Sequence, residues 1–161
     1  MRVAVLADTH LKNDKLDLPQ IVIKYLEGVD GIIHCGDVKE EGLLNLLENY
    51  APVYAVRGNN DDERLQYKLK EKLIINLENY RIGITHGHGE KGKTTDRALE
   101  VFQDMAIDIL IFGHSHQPLL QTKKGVMMIN PGSPTVKRRE KKHSMVILNL
   151  GETLHCEFIF F

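Results

Sequence analysis

Five times in this chain a short apolar run stops at an aspartate, asparagine or histidine, and the first three runs are separated by segments of helical periodicity. Residues 2–7 lead into Asp8-Thr9-His10. Leu18, Ile21, Val22, Tyr25 and Leu26 then recur at helical spacing within residues 16–27, and Gly28 ends the pattern. A second run, 31–35, stops at Gly36-Asp37, and Leu43, Leu44, Leu46 and Leu47 supply a second helix within 42–50. A third run, 53–56, leads to Gly58-Asn59-Asn60-Asp61. Strands alternating with helices at this rhythm predict parallel strands joined by right-handed crossovers. Ligand sites of such sheets gather beyond the carboxyl ends of the strands. Asp8, His10, Asp37 and Asn59 should therefore meet at one edge.

The second half has a different rhythm. Residues 72–77 and 80–85 read as a hairpin about Glu78-Asn79, and its second arm runs into His86-Gly87-His88. A third helix is predicted over 94–105, with Ala98, Val101, Phe102 and Met105 on its core face. The run Ile109-Leu110-Ile111-Phe112 ends at Gly113-His114-Ser115-His116. Two short strands then flank Lys123-Lys124-Gly125, Asn130-Pro131-Gly132-Ser133 forms a tight turn, and a final hairpin turns at Gly151-Glu152. Several strands without intervening helices suggest a second sheet packed on the first. In the last strand Leu154, Cys156, Phe158 and Phe160 share one face and should be core. Ile159 and Phe161 lie on the other, to be covered by a helix or by a second copy of the chain.

Size and composition limit what this architecture is for. A chain of 161 residues, 42% hydrophobic and 27% charged, fits a single domain, 1–161, with its own core. A net charge of −1 gives no basis for wholesale nucleic-acid or membrane binding. The apolar run before Asp8 is too short for a signal peptide or a membrane span. Two cysteines, Cys35 and Cys156, form no disulfide framework and read as small core residues in a reduced, cytoplasmic protein. Eight histidines are many for this length, and several follow apolar runs directly.

His114 and His116 are two residues apart. On an extended segment their side chains would point the same way and reach two neighbouring metal ions, which lie about 3.5–4 Å apart in two-metal hydrolases. The candidate ligands are imidazoles, carboxylates and one amide, with no thiolate. That set suits manganese, iron, cobalt, nickel or zinc at a working site rather than a structural zinc.

Collected in order, Asp8-x-His10, Gly36-Asp37, Gly58-Asn59-x-Asp61, His86 and Gly113-His114-x-His116 resemble the signature of the calcineurin-like metallophosphoesterases. The resemblance runs from about Val3 to Ser133, and the short length is similar to the small YfcE-type phosphodiesterase branch. It implies an α/β fold, a four-layer α/β/β/α sandwich of two mixed sheets flanked by helices. It also implies two divalent metal ions, manganese first, with nickel, cobalt, iron or zinc as alternatives. Asp8, His10, Asp37 and His116 would hold one ion. Asp37 would bridge to the second, held also by Asn59, His86 and His114. The implied activity is hydrolysis of a small phosphodiester, with hydroxide bridging the metals, attack in line on phosphorus and no protein nucleophile. The alternatives are a non-catalytic scaffold of the same fold that binds protein partners, like the small retromer subunit, and a metal-dependent nuclease.

Many members of the family have histidine where this chain has Asn60. An amide donates a hydrogen bond but delivers no proton, so either catalysis on poor leaving groups is weaker or another donor acts. His88, two residues past His86, is the candidate donor; a supporting hydrogen bond to a ligand is its other reading. His34 reads as a core or supporting histidine, Asp61 as the residue that orients the Asn59 loop, and Arg57 as a surface ion-pair partner. The basic run Lys137-Arg138-Arg139-Glu140-Lys141-Lys142 reads first as a solvated loop. Its place just after Ser133 adds a second reading, the attraction of anionic substrate.

Overall fold

The computed structural model describes residues 1–161. The elements are β1 (Arg2–Leu6), α1 (Gln20–Leu26), β2 (Gly31–His34), α2 (Gly42–Glu48), β3 (Val53–Ala55), α3 (Glu63–Lys68), β4 (Lys72–Leu77), β5 (Tyr80–Thr85), α4 (Thr94–Glu100), β6 (Ile109–Ile111), β7 (Leu119–Lys123), β8 (Val126–Asn130), β9 (Ser144–Asn149) and β10 (His155–Phe160). They form two five-stranded mixed sheets, in the orders β10-β9-β1-β2-β3 and β4-β5-β6-β8-β7. β1, β2 and β3 pair in parallel, as the strand–helix rhythm requires.

Three apolar clusters define four layers. On β1, Val3 and Val5 face one way and Ala4 and Leu6 the other, and all four are fully buried. Ala4 and Leu6 join Val22 and Leu26 of α1, Leu43 and Leu47 of α2 and Leu65 of α3 on the helical side of the first sheet. Val3 and Val5 join Ile82, Ile84, Ile109, Ile111 and Ile129 between the sheets. Ala98 and Phe102 cover Leu110, Phe112 and Met128 on the far side of the second sheet. Strands buried on both faces read as continuous apolar runs rather than alternations, as those of the parallel core do.

Several local expectations are corrected. The last hairpin does not extend the second sheet: β9 pairs antiparallel with β1, from Arg2 opposite Asn149 to Val5 opposite Val146. Its residues Met145 to Leu148 are buried on both faces, which requires an interior position. Ile159 and Phe161 of the last strand pack into the helical side, so a helix covers them. Phe160, predicted to be core, is 57% exposed and stacks on Phe158. α1 starts only at Gln20, because Pro19 caps it with extended backbone. α4 stops at Glu100, and residues 102, 103 and 105 bond three residues back instead of four. The tighter winding rotates Met105 off the core face, leaving it 37% exposed. α3 was not anticipated. Its start is built by Asp62, whose carboxylate accepts from Leu65 N at 2.8 Å.

Candidate metal centre

Three of the five strand ends deliver their polar residues through unusual turns. Asp8, His10, Asp37, His114 and His116 all have left-handed backbone, with φ of 54°, 51°, 55°, 67° and 59°. Such conformations cost about 1–3 kcal/mol each and persist only where the surroundings enforce them. His114 and His116 are therefore not on an extended segment, and their side chains part. The His116 ring stacks on His10 with centroids 5.2 Å apart, while the His114 ring meets His86 edge-on at 5.2 Å. His116 thus joins the cluster of Asp8 and His10, whereas His114 stands beside His86 and belongs to neither group of side chains that converge on a common point.

Two groups of side chains converge closely enough to share a cation: Asp8, His10 and His116, and Asp8, Asp37 and His86. In the first, His116 Nε2 lies 3.4 Å from Asp8 Oδ1 and 3.3 Å from His10 Nε2. In the second, His86 Nε2 lies 3.3 Å from Asp37 Oδ2 and 3.9 Å from Asp8 Oδ1. Asp37 Oδ2 also lies 3.6 Å from His10 Nε2, so both carboxylates look toward both clusters. In this arrangement Asp8 is as central as Asp37, which was anticipated to bridge alone.

The residues fit divalent metal. His86 Nδ1 donates to the Cys35 carbonyl at 2.7 Å, and His116 Nδ1 donates to the Val136 carbonyl. A carbonyl accepts only from N–H, so Nε2 of each ring is left as the lone-pair atom turned to the centre. Asp8 Oδ1 and Oδ2, His86 Nε2 and His114 Nδ1 are buried without any hydrogen-bond partner. Orphaned buried acceptors are costly, and a cation would satisfy them together. The Nε2 atoms of His10 and His116 lie 3.3 Å apart, so a single cation between them would take a lone pair from each ring.

The electrostatics agree. Burial, reinforced by Asp37, pushes the Asp8 carboxyl up to about 7, against the opposing pull of His86. Burial would raise Asp37 as well, but contact with His86 and two hydrogen bonds from Asn60 hold it well below the usual carboxylate range. Burial alone would lower His86; Asp37 and Asp8 reverse it, so His86 is raised. Burial and neighbouring cationic groups depress His114 to about 4. His116 also falls to about 4, mainly by burial. The imidazoles on the GHxH loop are thus neutral and ready as ligands.

The remaining candidates take distinct places. Asn60 N and Nδ2 donate to Asp37 Oδ1 and Oδ2 at 2.8 and 2.7 Å, so its amide holds the carboxylate in place. Asn59 is exposed in the same turn and makes no side-chain hydrogen bond. His88 is exposed beside the centre, 5.5 Å from His86 and 6.4 Å from His114 by ring centroids, and bonds no ligand residue. His34 is fully buried with Nε2 3.0 Å from Thr9 Oγ1, and burial drives its pKa to about 3. Asp61 orients the loop, accepting from Gly58 N and Lys39 N at 2.7 Å each. Arg57 is committed to Glu71 and to the Gln66 carbonyl.

Supporting residues not anticipated from sequence lie on the Asn130–Val136 turn. Asn130 Nδ2 donates to the Gly113 carbonyl at 2.8 Å and Ser133 Oγ to the Asp8 carbonyl at 2.8 Å. Thr135 Oγ1 donates to the Thr9 carbonyl at 2.6 Å. The Asn-Pro-Gly-Ser turn directly after an apolar strand was the available signal. Close backbone approach is required at Gly58, where a Cβ would lie 2.2 Å from Asp37 Oδ1 and 2.3 Å from Asp37 N. A Cβ on Gly113 would meet Asp8 Oδ2 and Ala7 Cβ at 2.9 Å each. Gly58→Ala should destabilise the fold by about 1–3 kcal/mol and weaken metal binding. Urea denaturation checks this against Gly151→Ala, where the nearest atom is 3.9 Å away and no loss is expected.

Comparison with known proteins places this centre in a family. Residues 1–153 match the calcineurin-like phosphoesterase superfamily domain. The chain is 35% identical over 160 residues to "Probable metallophosphoesterase MJ0623" of Methanocaldococcus jannaschii, covering 99% of this chain and 81% of that protein. It is 31% identical over 147 residues to "Phosphodiesterase MJ0936" of the same organism, covering 82% and 83%. Among solved structures, Entamoeba histolytica Vps29 complexed with zinc superposes with a TM-score of 0.76 at 22% identity, covering 99% of each chain. The chain belongs to the calcineurin-like phosphoesterase superfamily. Within it, this chain is a metallophosphoesterase relative with two Asp/His clusters that could hold metal ions. No helix is long and apolar enough to cross a membrane.

Proposed function

We propose that this protein is a metal-dependent phosphodiesterase acting on a small phosphodiester. The observation that carries the reading is the pair of Asp/His clusters sharing Asp8, with Asp37 facing both and their orphaned oxygen and nitrogen atoms turned inward. Asp8, His10, Asp37 and His116 would hold one ion, and Asp37, Asn59, His86 and His114 the other; manganese is first choice, with nickel, cobalt, iron or zinc as substitutes. When bound, two such cations supply positive charge for the phosphoryl oxygens and acidify water. The chain's residues supply what surrounds that charge. Asn60 fixes Asp37, and the Cys35 and Val136 carbonyls fix the rings of His86 and His116. Exposed His88 would be the donor to a departing alkoxide, and because burial and His86 lower its pKa, that step would favour the acid side of neutrality.

Other nucleophiles are poorly placed. Cys35 is buried, and burial, with Asp8 nearby, pushes its thiol well up, so it stays protonated. Thr9 and His34 form a hydroxyl–imidazole pair but are fully buried. Water is therefore the attacking group in this reading. Support for a diester substrate comes from a relative named as a phosphodiesterase at 31% identity. The test is hydrolysis of bis-p-nitrophenyl phosphate by metal-stripped protein resupplied with manganese, nickel, cobalt, zinc or magnesium in turn. Metal-dependent turnover is the expected result. Two bound ions without turnover would instead favour a scaffold that binds protein partners, and salt-sensitive DNA or RNA binding would favour a nuclease.

A further inference from the structure

Beside the centre lies a polar cleft of about 420 Å³ lined by Ser115, Gln117, Lys137, Arg138, Arg139 and Glu140, without a single hydrophobic residue. Three cations face one carboxylate there, and none of the three forms an ion pair; the basic residues in ion pairs with acidic side chains elsewhere are Arg57, Arg64, Lys68 and Lys123. A volume of this order suits a small-molecule group rather than a single water.

The cleft is built onto the metal-ligand loops. Ser115 stands between His114 and His116. The segment leading to Arg138 is tied down by Ser133 to the Asp8 carbonyl, by Thr135 to the Thr9 carbonyl and by the Val136 carbonyl to His116. Arg138, in left-handed backbone at φ 51°, donates from Nη1 to the His114 carbonyl at 3.4 Å. Lys137 Nζ caps the Lys141 carbonyl at 3.1 Å, which closes the loop on itself. Unpaired guanidinium groups on an anchored loop are suited to bidentate recognition of a phosphate.

We propose that this cleft is a second anion subsite, which takes a terminal phosphate carried on one arm of the diester substrate, with Arg138 and Arg139 as its specificity-determining residues. The inference rests on the phosphodiesterase reading and narrows it: the substrate is a diester bearing a phosphomonoester, with the scissile phosphate at the Asp/His clusters and the second phosphate against the basic loop. The basic run is then neither a free solvated loop nor a general attractor of anions.

The test compares thymidine 5′-(p-nitrophenyl phosphate) with the same compound phosphorylated at the 3′-hydroxyl. The leaving group is identical, so the ratio of kcat/KM reports the second phosphate alone. The expected ratio is about tenfold, mostly in KM, and falling as salt is raised. Arg138→Gln/Arg139→Gln should bring it to about two or below, and Arg139→Gln, which leaves every bond to the ligand loops in place, should lower it part-way. A wild-type ratio near one, or a ratio unchanged in the double variant, overturns the proposal. A 3′-methylphosphate ester that performs as well as the free 3′-phosphate also overturns it, because the cleft would then read an internal nucleic-acid linkage. If neither thymidine compound is hydrolysed, the phosphodiesterase reading fails separately and the subsite is judged by calorimetry on the metal-loaded protein. Thymidine 3′,5′-bisphosphate binding about tenfold more tightly than thymidine 5′-phosphate, with the difference lost in the double variant, supports it; equal binding overturns it.

Discussion

Replacing Asp37 with alanine is expected to lower metal-dependent diester hydrolysis by about a thousandfold or more. Loss of groups that merely support a ligand costs about 10–100-fold in metal affinity or activity, and Asp37 stands closer to the centre than that. Its Oδ2 approaches His86 at 3.3 Å and His10 at 3.6 Å, so it faces a histidine of each cluster. It also accepts two hydrogen bonds from Asn60, which the truncation leaves without a partner. Asp37→Asn separates the effects, because it retains the shape and one acceptor but removes the negative charge. Both variants should bind fewer than two ions per chain, read by elemental analysis alongside kcat/KM. Full activity in Asp37→Ala would remove this residue from the centre. Asn60→Ala should be milder, since it loosens Asp37 without removing it.

The second large effect is a proton count. At pH 6, manganese binding to metal-free protein should release between one and two protons per chain. Asp8, raised to about 7 by burial first and by Asp37 next, is mostly protonated at that pH. His86 is raised too, by Asp37 and Asp8 overcoming its burial, and is also protonated. Both must give up a proton to become ligands. His114 and His116, depressed to about 4, are already neutral and release nothing. Affinity should therefore climb as pH rises through about 7, as Asp8 loses its proton unaided, and the count of protons released should fall with it. Calorimetry in two buffers of different ionisation enthalpy gives the count. Metal at a thousandfold excess over Kd adds about 4 kcal/mol to stability, a rise in Tm of about 10 °C at pH 7.5 that shrinks below pH 6.

The same pKa values give metal-free protein two opposing pH slopes. For Asp8 the folded pKa lies above the unfolded one, so its contribution to stability falls as pH rises from about 4 to about 7. For His34, His114 and His116 the folded values of about 3, 4 and 4 lie below the unfolded one. Stability from these three is present above about 6.5 and is lost as pH falls toward 4.

How much of this was legible in the sequence follows the physics of each feature. The strands, and the parallel run of the first three, were legible because strands buried on both faces leave unbroken apolar runs, as Val3-Ala4-Val5-Leu6 does. The candidate ligands were legible because each follows such a run. The backbone that aims them was not: Asp8, His10, Asp37, His114 and His116 sit in left-handed turns imposed by surrounding packing, a tertiary effect without a local residue pattern. The pairing of β9 with β1 is likewise a contact across 140-odd residues, invisible to local periodicity. α3 does carry a local signal, the capping aspartate of Asp62-Glu63-Arg64-Leu65, but its six residues are too few to show helical periodicity. Asn60 shows the limit most clearly. Its type said that it could not give a proton, but only the fold shows both its donors spent on Asp37.

Anomalous diffraction from crystals of manganese-loaded protein shows whether these clusters hold a pair of metal ions. Two peaks about 3.5–4 Å apart are predicted, one against Asp8, His10 and His116 and the other against Asp37 and His86. A single peak, or peaks that avoid these residues, would contradict such a pair.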